Sequence, residues 1–206
     1  MRRSISPCFF VLTCILVSFG SGCAFTDQNA ILKYTPVSDT TGGAGEVQVA
    51  KPTVSDMKLL KGKQVIGTVK NTLGMVTADV LSEYSVEEWF RSAVVAELGR
   101  AGYQAQTTET LPAACLRGVE LAIIKAWVDQ DPGFWTVGAV ANVQFRLTLY
   151  SNGTRIKEIL AEGTGQGSRS AIGHTGTKES AMTTALQQAM KQAMPEIVAA
   201  FSGAPR

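Results

Sequence analysis

The chain is predicted to fold as an α+β two-layer sandwich, a mainly antiparallel sheet with two helices on one face. Three observations carry that prediction: an unbroken apolar alternation from Trp135 to Leu149, an Asn152-Gly153 hairpin signal just behind it, and two stretches with apolar residues at helical spacing. At 206 residues, 45% hydrophobic and 17% charged, the chain has the composition of a folded protein and the length of one domain.

From Glu46 to Val54, Val47, Val49, Thr53 and Val54 predict a first strand, with Pro52 marking an edge or an end. Val65 to Lys70 predicts a second. Ser85-Val86-Glu87-Glu88 has the form of a capping box, the Ser85 hydroxyl accepting from the Glu88 amide and the Glu88 carboxylate returning to Ser85. The helix that starts there places Val86, Trp89, Phe90, Ala93, Val94 and Leu98 on one face and stops at Gly99 and Gly102. Tyr103 to Thr108 predicts a short strand.

Val119 to Val128 is apolar on both parities apart from Glu120 and Lys125, which predicts a central strand covered on both faces. Asp131-Pro132-Gly133 suits a type II turn. The alternating stretch follows; at about 50 Å it is long enough that a bend is expected near Gly138. Asn152-Gly153 suits a type I′ turn, which needs positive φ at both centres. Continuing that register sets Leu149 against Ile156 and Phe145 against Leu160, and leaves Leu147 facing Glu158. Gly163, Gly165 and Gly167 share one strand parity and form a flat strip where a helix, or a ligand, approaches the backbone. A closing amphipathic helix from about Thr177 to Phe201 is expected to kink or restart near Met194, before Pro195.

The N-terminus points to a compartment. Met1 to Pro7 carries two arginines and no acid, Cys8 to Phe19 is apolar, and Gly20-Ser21-Gly22-Cys23 closes with small residues. This is the pattern of a secretory signal peptide. Its apolar run would span about 18 Å as a helix, short of the roughly 30 Å hydrocarbon core. The segment resembles a bacterial lipobox, with Gly20 where an aliphatic residue is usual, and implies cleavage at residue 22 and acylation of Cys23; general signal-peptidase cleavage nearby is the other reading. Ala24 after the cysteine then implies the outer membrane. Residues 1–22 are assigned to the signal peptide, 23–45 to the lipidated cysteine and a flexible tether containing Gly42, Gly43 and Gly45, and 46–206 to one α+β domain. With Cys8 and Cys14 removed and Cys23 acylated, Cys115 is left without a disulfide partner.

Composition excludes several functions. Of 19 Lys and Arg residues, Arg2 and Arg3 leave with the signal, and the remainder balances the 17 acids. A neutral chain with one histidine and no arginine-rich run is not expected to bind nucleic acid. With His174 as the single histidine, no multi-histidine zinc site is formed, and neither G-x-S-x-G nor a phosphate-loop spacing occurs among the glycines. No catalytic residue, metal or cofactor is assigned, and the chain is read as non-enzymatic. Three features are candidate contacts: the basic stretch Lys58, Lys61 and Lys63, suited to anionic headgroups; Phe134, off-parity beside Trp135; and the methionines Met182, Met190 and Met194, either core filler or an adaptable groove.

Cys23, the strand from Glu46 to Val54 followed by Asp56, the run Ile66-Gly67-Thr68-Val69-Lys70-Asn71, the helix WFRSAVVAELGRAGY and the Asn152-Gly153 hairpin together resemble the YajG-like family of bacterial envelope lipoproteins over roughly residues 31–201. That family has Asp-x-Arg where this chain has Asp56-Met57-Lys58, so no guanidinium role carries over. The resemblance implies an outer-membrane-anchored periplasmic lipoprotein, an interaction module in envelope maintenance whose partners are the membrane and an envelope protein or lipid. The alternative is a lipid-binding auxiliary component of an envelope lipid transport system.

Overall fold

A computed structural model describes residues 26–71, 73–133, 136–170 and 175–203. The segment read as a signal peptide, Cys23, Phe134, Trp135 and His174 lie outside the described residues. In chain order the elements are β1 (Gln28–Ala30), β2 (Glu46–Ala50), β3 (Thr53–Val54), β4 (Leu59–Leu60), β5 (Lys63–Lys70), β6 (Val76–Ser82), α1 (Val86–Ala101), β7 (Gln104–Thr108), β8 (Arg117–Pro132), β9 (Val137–Ser151), β10 (Thr154–Ser170) and α2 (Thr175–Gly203).

The sheet is mixed, which corrects the expected mainly antiparallel two-layer sandwich. Antiparallel pairing joins β8, β9 and β10 into a long meander and β5 to β6. The other edge of β8 is taken in succession by β2, β3 and β5, all parallel to it; β7 pairs parallel with β2, and β1 parallel with β6. The cause lies in the connections. A strand that returns after a helix has travelled back along the sheet and pairs parallel, as β7 does with β2 after α1. Hairpin signals announce themselves in two residues; these longer returns leave no local mark. β6 follows no clean alternation and is absent from the sequence prediction.

Two bulges explain where local reading misplaces side chains. In β8 the register with β9 slips between Ile123 and Lys125, so buried positions change from Val119, Leu121 and Ile123 to Ala126, Val128 and Gln130. The run that looked apolar on both faces is one buried face that changes parity, with Ile124 and Lys125 exposed. In β10 the register slips between Arg155 and Lys157. That single residue moves Glu158 opposite Thr148 and brings Ile159 opposite Leu147, removing the clash of Leu147 with a carboxylate. Asn152 (φ 49°) and Gly153 (φ 73°) make the expected hairpin turn. The type II turn at Pro132 is not formed: β8 continues to pair Pro132 with Val137, and the Gly133 amide donates to the Thr136 carbonyl.

Both helices contribute to one core cluster with the buried face of the sheet. On α1, Ser85 Oγ accepts from the Glu88 amide at 3.1 Å, while the Glu88 carboxylate binds Arg91 instead of closing the box. Phe90 meets Phe145 of β9 edge to face at 5.6 Å. On α2, Met182, Ala185, Leu186, Ala189, Met190, Ala193, Met194 and Ile197 are fully buried. The helix continues through Pro195 as one element. Pro195 is exposed, as is Lys191 four residues before it, so the carbonyl that loses its donor faces water.

Gly163, Gly165 and Gly167 are where α2 comes down on β10. A Cβ added at Gly163 would lie 2.0 Å from the Ala185 carbonyl oxygen, at Gly165 2.0 Å from that of Ala181, and at Gly167 2.1 Å from that of Thr177. The strip is a helix seat.

Candidate functional site

The segment expected to be a flexible tether is folded onto the domain. From Gln28 to Thr40 it crosses both helices, and each helix turns one buried charge toward it. Glu97, fully buried on the apolar face of α1, accepts from the Val37 amide at 2.8 Å, the Ser38 amide at 3.1 Å and the Tyr34 hydroxyl. Burial and the Glu97 carboxylate push the Tyr34 phenol well above the usual tyrosine range. Lys178, 2% exposed on α2, donates to Gln28 Oε1 at 2.8 Å and Gln130 Oε1 at 3.0 Å, and burial lowers it to about 8. Glu179 accepts from the Ile31 amide, Thr183 and Gln187 donate to the Lys33 and Thr35 carbonyls, and Arg100 reaches the Pro36 carbonyl and Asp39.

The glycines of this strap serve close approach. A Cβ on Gly43 would meet the Tyr103 ring at 2.5 Å, and the Gly43 amide donates to the Ala101 carbonyl at the end of α1. Composition alone reads Thr-Thr-Gly-Gly-Ala-Gly as a linker. The signal that would have found the strap is Glu97 and Lys178, each a charge in register with a helix's apolar positions.

The three predicted lysines lie around the β4–β5 hairpin, two of them against the N-terminal strand. Lys61 and Gly62, both at positive φ, turn the β4–β5 hairpin. Lys61 Nζ lies 2.7 Å from Asp27 Oδ2, Lys58 Nζ 3.0 Å from Asp79 Oδ2, and Lys63 binds Glu83 and, at 3.2 Å, Asn29. Hydrogen bonding from Lys61 and the Asp79 amide holds the Asp27 carboxyl below its ordinary range. All three cations therefore have anionic partners, and two of them hold the strand that follows Cys23. Phe134, the fourth predicted contact, lies outside the described residues, as does Cys23.

Beside this hairpin is an open cleft of about 420 Å³ lined by Lys51, Leu59, Gly62, Lys63, Gln64, Ser82, Glu83, Tyr84, Ser85 and Glu87. Its polar groups are already engaged: Gln64 Nε2 donates to both Glu87 oxygens at 2.9 and 2.8 Å and Gln64 Oε1 accepts from the Val86 amide at 2.7 Å. Burial raises the Glu87 carboxyl, but bonds from its own amide, Ser85 and Gln64, with Lys51 nearby, outweigh it and leave it lowered. Leu59 and Tyr84 stand on the rim, 66% and 67% exposed.

Other sequence features resolve into structure. Cys115 is buried and unbridged. Asp129 pairs with Lys70 and Asp131 with Arg169. Ser55 and Lys58, a Ser-x-x-Lys spacing not singled out above, lie in an irregular segment where Lys58 is held by Asp79. Among the described residues no cluster of three or more His, Cys, Asp or Glu is arranged for a metal, and no helix is long and apolar enough to cross a membrane.

No family model matches the chain, and no curated protein matches it. Among solved structures it is similar to protein XCC0632 from Xanthomonas campestris, of family DUF330, with a TM-score of 0.59 and 11% identity over 85% of this chain and 96% of that one. The fold is one that a bacterial DUF330 protein also adopts. A hypothetical protein from Chlamydia trachomatis, CT253, gives a TM-score of 0.46 at 8% identity over 79% of this chain and 100% of that one. At such identities the likeness concerns fold alone.

Proposed function

We propose that this protein is an outer-membrane-anchored periplasmic lipoprotein, acylated at Cys23, that acts as a non-enzymatic interaction module in cell-envelope maintenance. The observation that carries the reading is the strap. Cys23 precedes Asp27 by four residues, and an extended chain of that length spans at most about 14 Å. From Asp27 onward the segment is pinned by Lys61, Lys178, Glu179 and Glu97. A lipid on Cys23 would hold the domain close to the bilayer, with the cleft between Leu59 and Tyr84 as the surface offered to an envelope partner. The resemblance to YajG-like lipoproteins supports the same reading.

The lipid-binding alternative loses the features that motivated it, because the glycine strip seats α2, the methionine stripe is core, and the lysines are paired. Fractionation of the Cys23→Ala protein tests the anchor: release to the soluble fraction is expected, since without acyl chains the surface contacts are marginal, and continued membrane retention would sink the reading. For the partner surface, Tyr84→Ala is expected to remove a co-purifying envelope protein without moving the unfolding midpoint.

A further inference from the structure

The connection between β5 and β6 is built as an apolar tip. Leu73, Met75 and Val76 are 80%, 56% and 58% exposed. Asn71 pairs much of the backbone beneath them: its Oδ1 accepts from the amides of Leu73 and Met75, each at 3.0 Å, its carbonyl accepts from the Gly74 amide at 2.9 Å, and its amide donates to the Met75 carbonyl at 3.0 Å. One asparagine thus closes the turn so that apolar side chains project while the amides of Leu73, Gly74 and Met75 stay paired. A hairpin entering a low-dielectric medium needs both.

The topology sets this tip at the N-terminal end of the domain. Strand β1 runs parallel to β6 in the register Gln28↔Val80, Asn29↔Leu81 and Ala30↔Ser82. The start of β1 therefore points along β6 toward Val76, and the Asp27 carboxylate, one residue earlier, accepts from the Asp79 amide at 3.2 Å. Cys23 stands five residues before Gln28, and Met75 five residues before Val80. Both intervals span at most about 18 Å of extended chain. The opposite end of the meander carries the Asn152-Gly153 turn and the exposed Leu116.

We infer that Leu73, Met75 and Val76 insert into the phospholipid leaflet that holds the acyl chains of Cys23, giving the domain a second contact that fixes its orientation. This rests on the lipid-anchor reading above. Acyl chains attached at one residue leave the domain free to rotate about that point; a second apolar contact on the same end removes that freedom.

The test uses full-length acylated protein in vesicles of phosphatidylethanolamine with a minority of phosphatidylglycerol. In a Cys115→Ser background, an environment-sensitive fluorophore is attached at Met75→Cys or, as control, at Leu116→Cys, and quenching by lipid-borne quencher is recorded. Position 75 is expected to be quenched at least about twofold more than position 116 and to shift to the blue. Equal quenching at the two positions in vesicle-bound, acylated protein overturns the inference and leaves the anchor standing. If intact-mass measurement shows no acylation and the protein does not float with vesicles, the anchor reading fails and the inference falls with it.

Discussion

The two helices reach the same core by opposite means. On α2 the contact with β10 is made with almost no side chain: three glycines on the strand meet the carbonyls of Thr177, Ala181 and Ala185, spaced one turn apart. On α1 the buried part of the contact with the strap is made by one carboxylate that satisfies three donors. The first is a contact of shape, intolerant of any added atom. The second is a contact of polarity, intolerant of a lost acceptor. The two should fail differently, and the failure of the first should be the larger.

The strongest break is Gly165→Val. Its Cβ would sit 2.0 Å from the Ala181 carbonyl and 2.6 Å from the Ala185 amide, backbone atoms that yield only if α2 lifts off the sheet. A loss of about 3 kcal/mol or more is expected in urea unfolding. Gly99→Ala is the matched control, because Gly99 lies on the exposed side of α1 with nothing within 4 Å of an added Cβ. It should gain about 0.5–1 kcal/mol from helix propensity. A Gly165→Val protein as stable as wild type would mean that the seat is looser than its geometry.

Glu97→Ala breaks the other contact. The amides of Val37 and Ser38 and the Tyr34 hydroxyl lose their acceptor, and a loss of about 2–3 kcal/mol is expected. The distinguishing readout is local: amide exchange should quicken at Val37 and Ser38 while β9 stays protected. Slowed or unchanged exchange there would show that the strap is held elsewhere.

These two contacts also mark how far the sequence could be read. Alternation in β9, the Ser85 cap and the Asn152-Gly153 turn are properties of neighbouring residues, and each stands where periodicity places it. The glycine strip was visible as a parity pattern, though only the helix above it separates a seat from a ligand strip. Parallel pairing and the bulges at Ile124 and Ile156 depend on residues far along the chain, and no local window contains them. The strap was hidden by composition. A Gly-Thr run is equally suited to a free linker and to a tight crossing, and only the charges at 97 and 178, out of place on apolar helix faces, speak for the second.

Lys178 sharpens the comparison because it is the less satisfied of the two buried charges, with two amide oxygens as its partners in the structure. Its folded value of about 8 lies below the ordinary lysine value of 10.5. Above that ordinary value both states are neutral at this position and nothing is lost. Between the two, the unfolded chain binds a proton that the folded chain does not, so stability falls as pH drops from about 10 toward 8, by at most about 3 kcal/mol, and is level below. Tyr34 works in the opposite direction above pH 10, which confines the measurement to the interval beneath. The difference in unfolding midpoint between wild type and Lys178→Met should shrink or reverse in favour of wild type as pH rises from 8 to 10. A difference independent of pH would mean that Lys178 titrates normally.

The smallest effect belongs to the lysines that the sequence offers to anionic headgroups. Lys58, Lys61 and Lys63 are exposed enough for solvent to screen their pairs, so replacing all three by Gln should lower the unfolding midpoint only slightly, and less at high salt. Their consequence for membranes discriminates more. Each already faces a carboxylate just before β1, on β6 or in the turn before α1, so the local field near the hairpin is close to neutral, and a headgroup would have to displace Asp27, Asp79 or Glu83. Binding of the Cys23→Ala protein to vesicles should therefore respond little to the fraction of phosphatidylglycerol, and the triple substitution should leave that response unchanged. An affinity that falls about tenfold in the triple variant, on anionic vesicles alone, would return the lysines to the headgroups. It would also mean that the ion pairs clamping the N-terminal strand open on contact with the membrane, making the polar side of the anchor the yielding one.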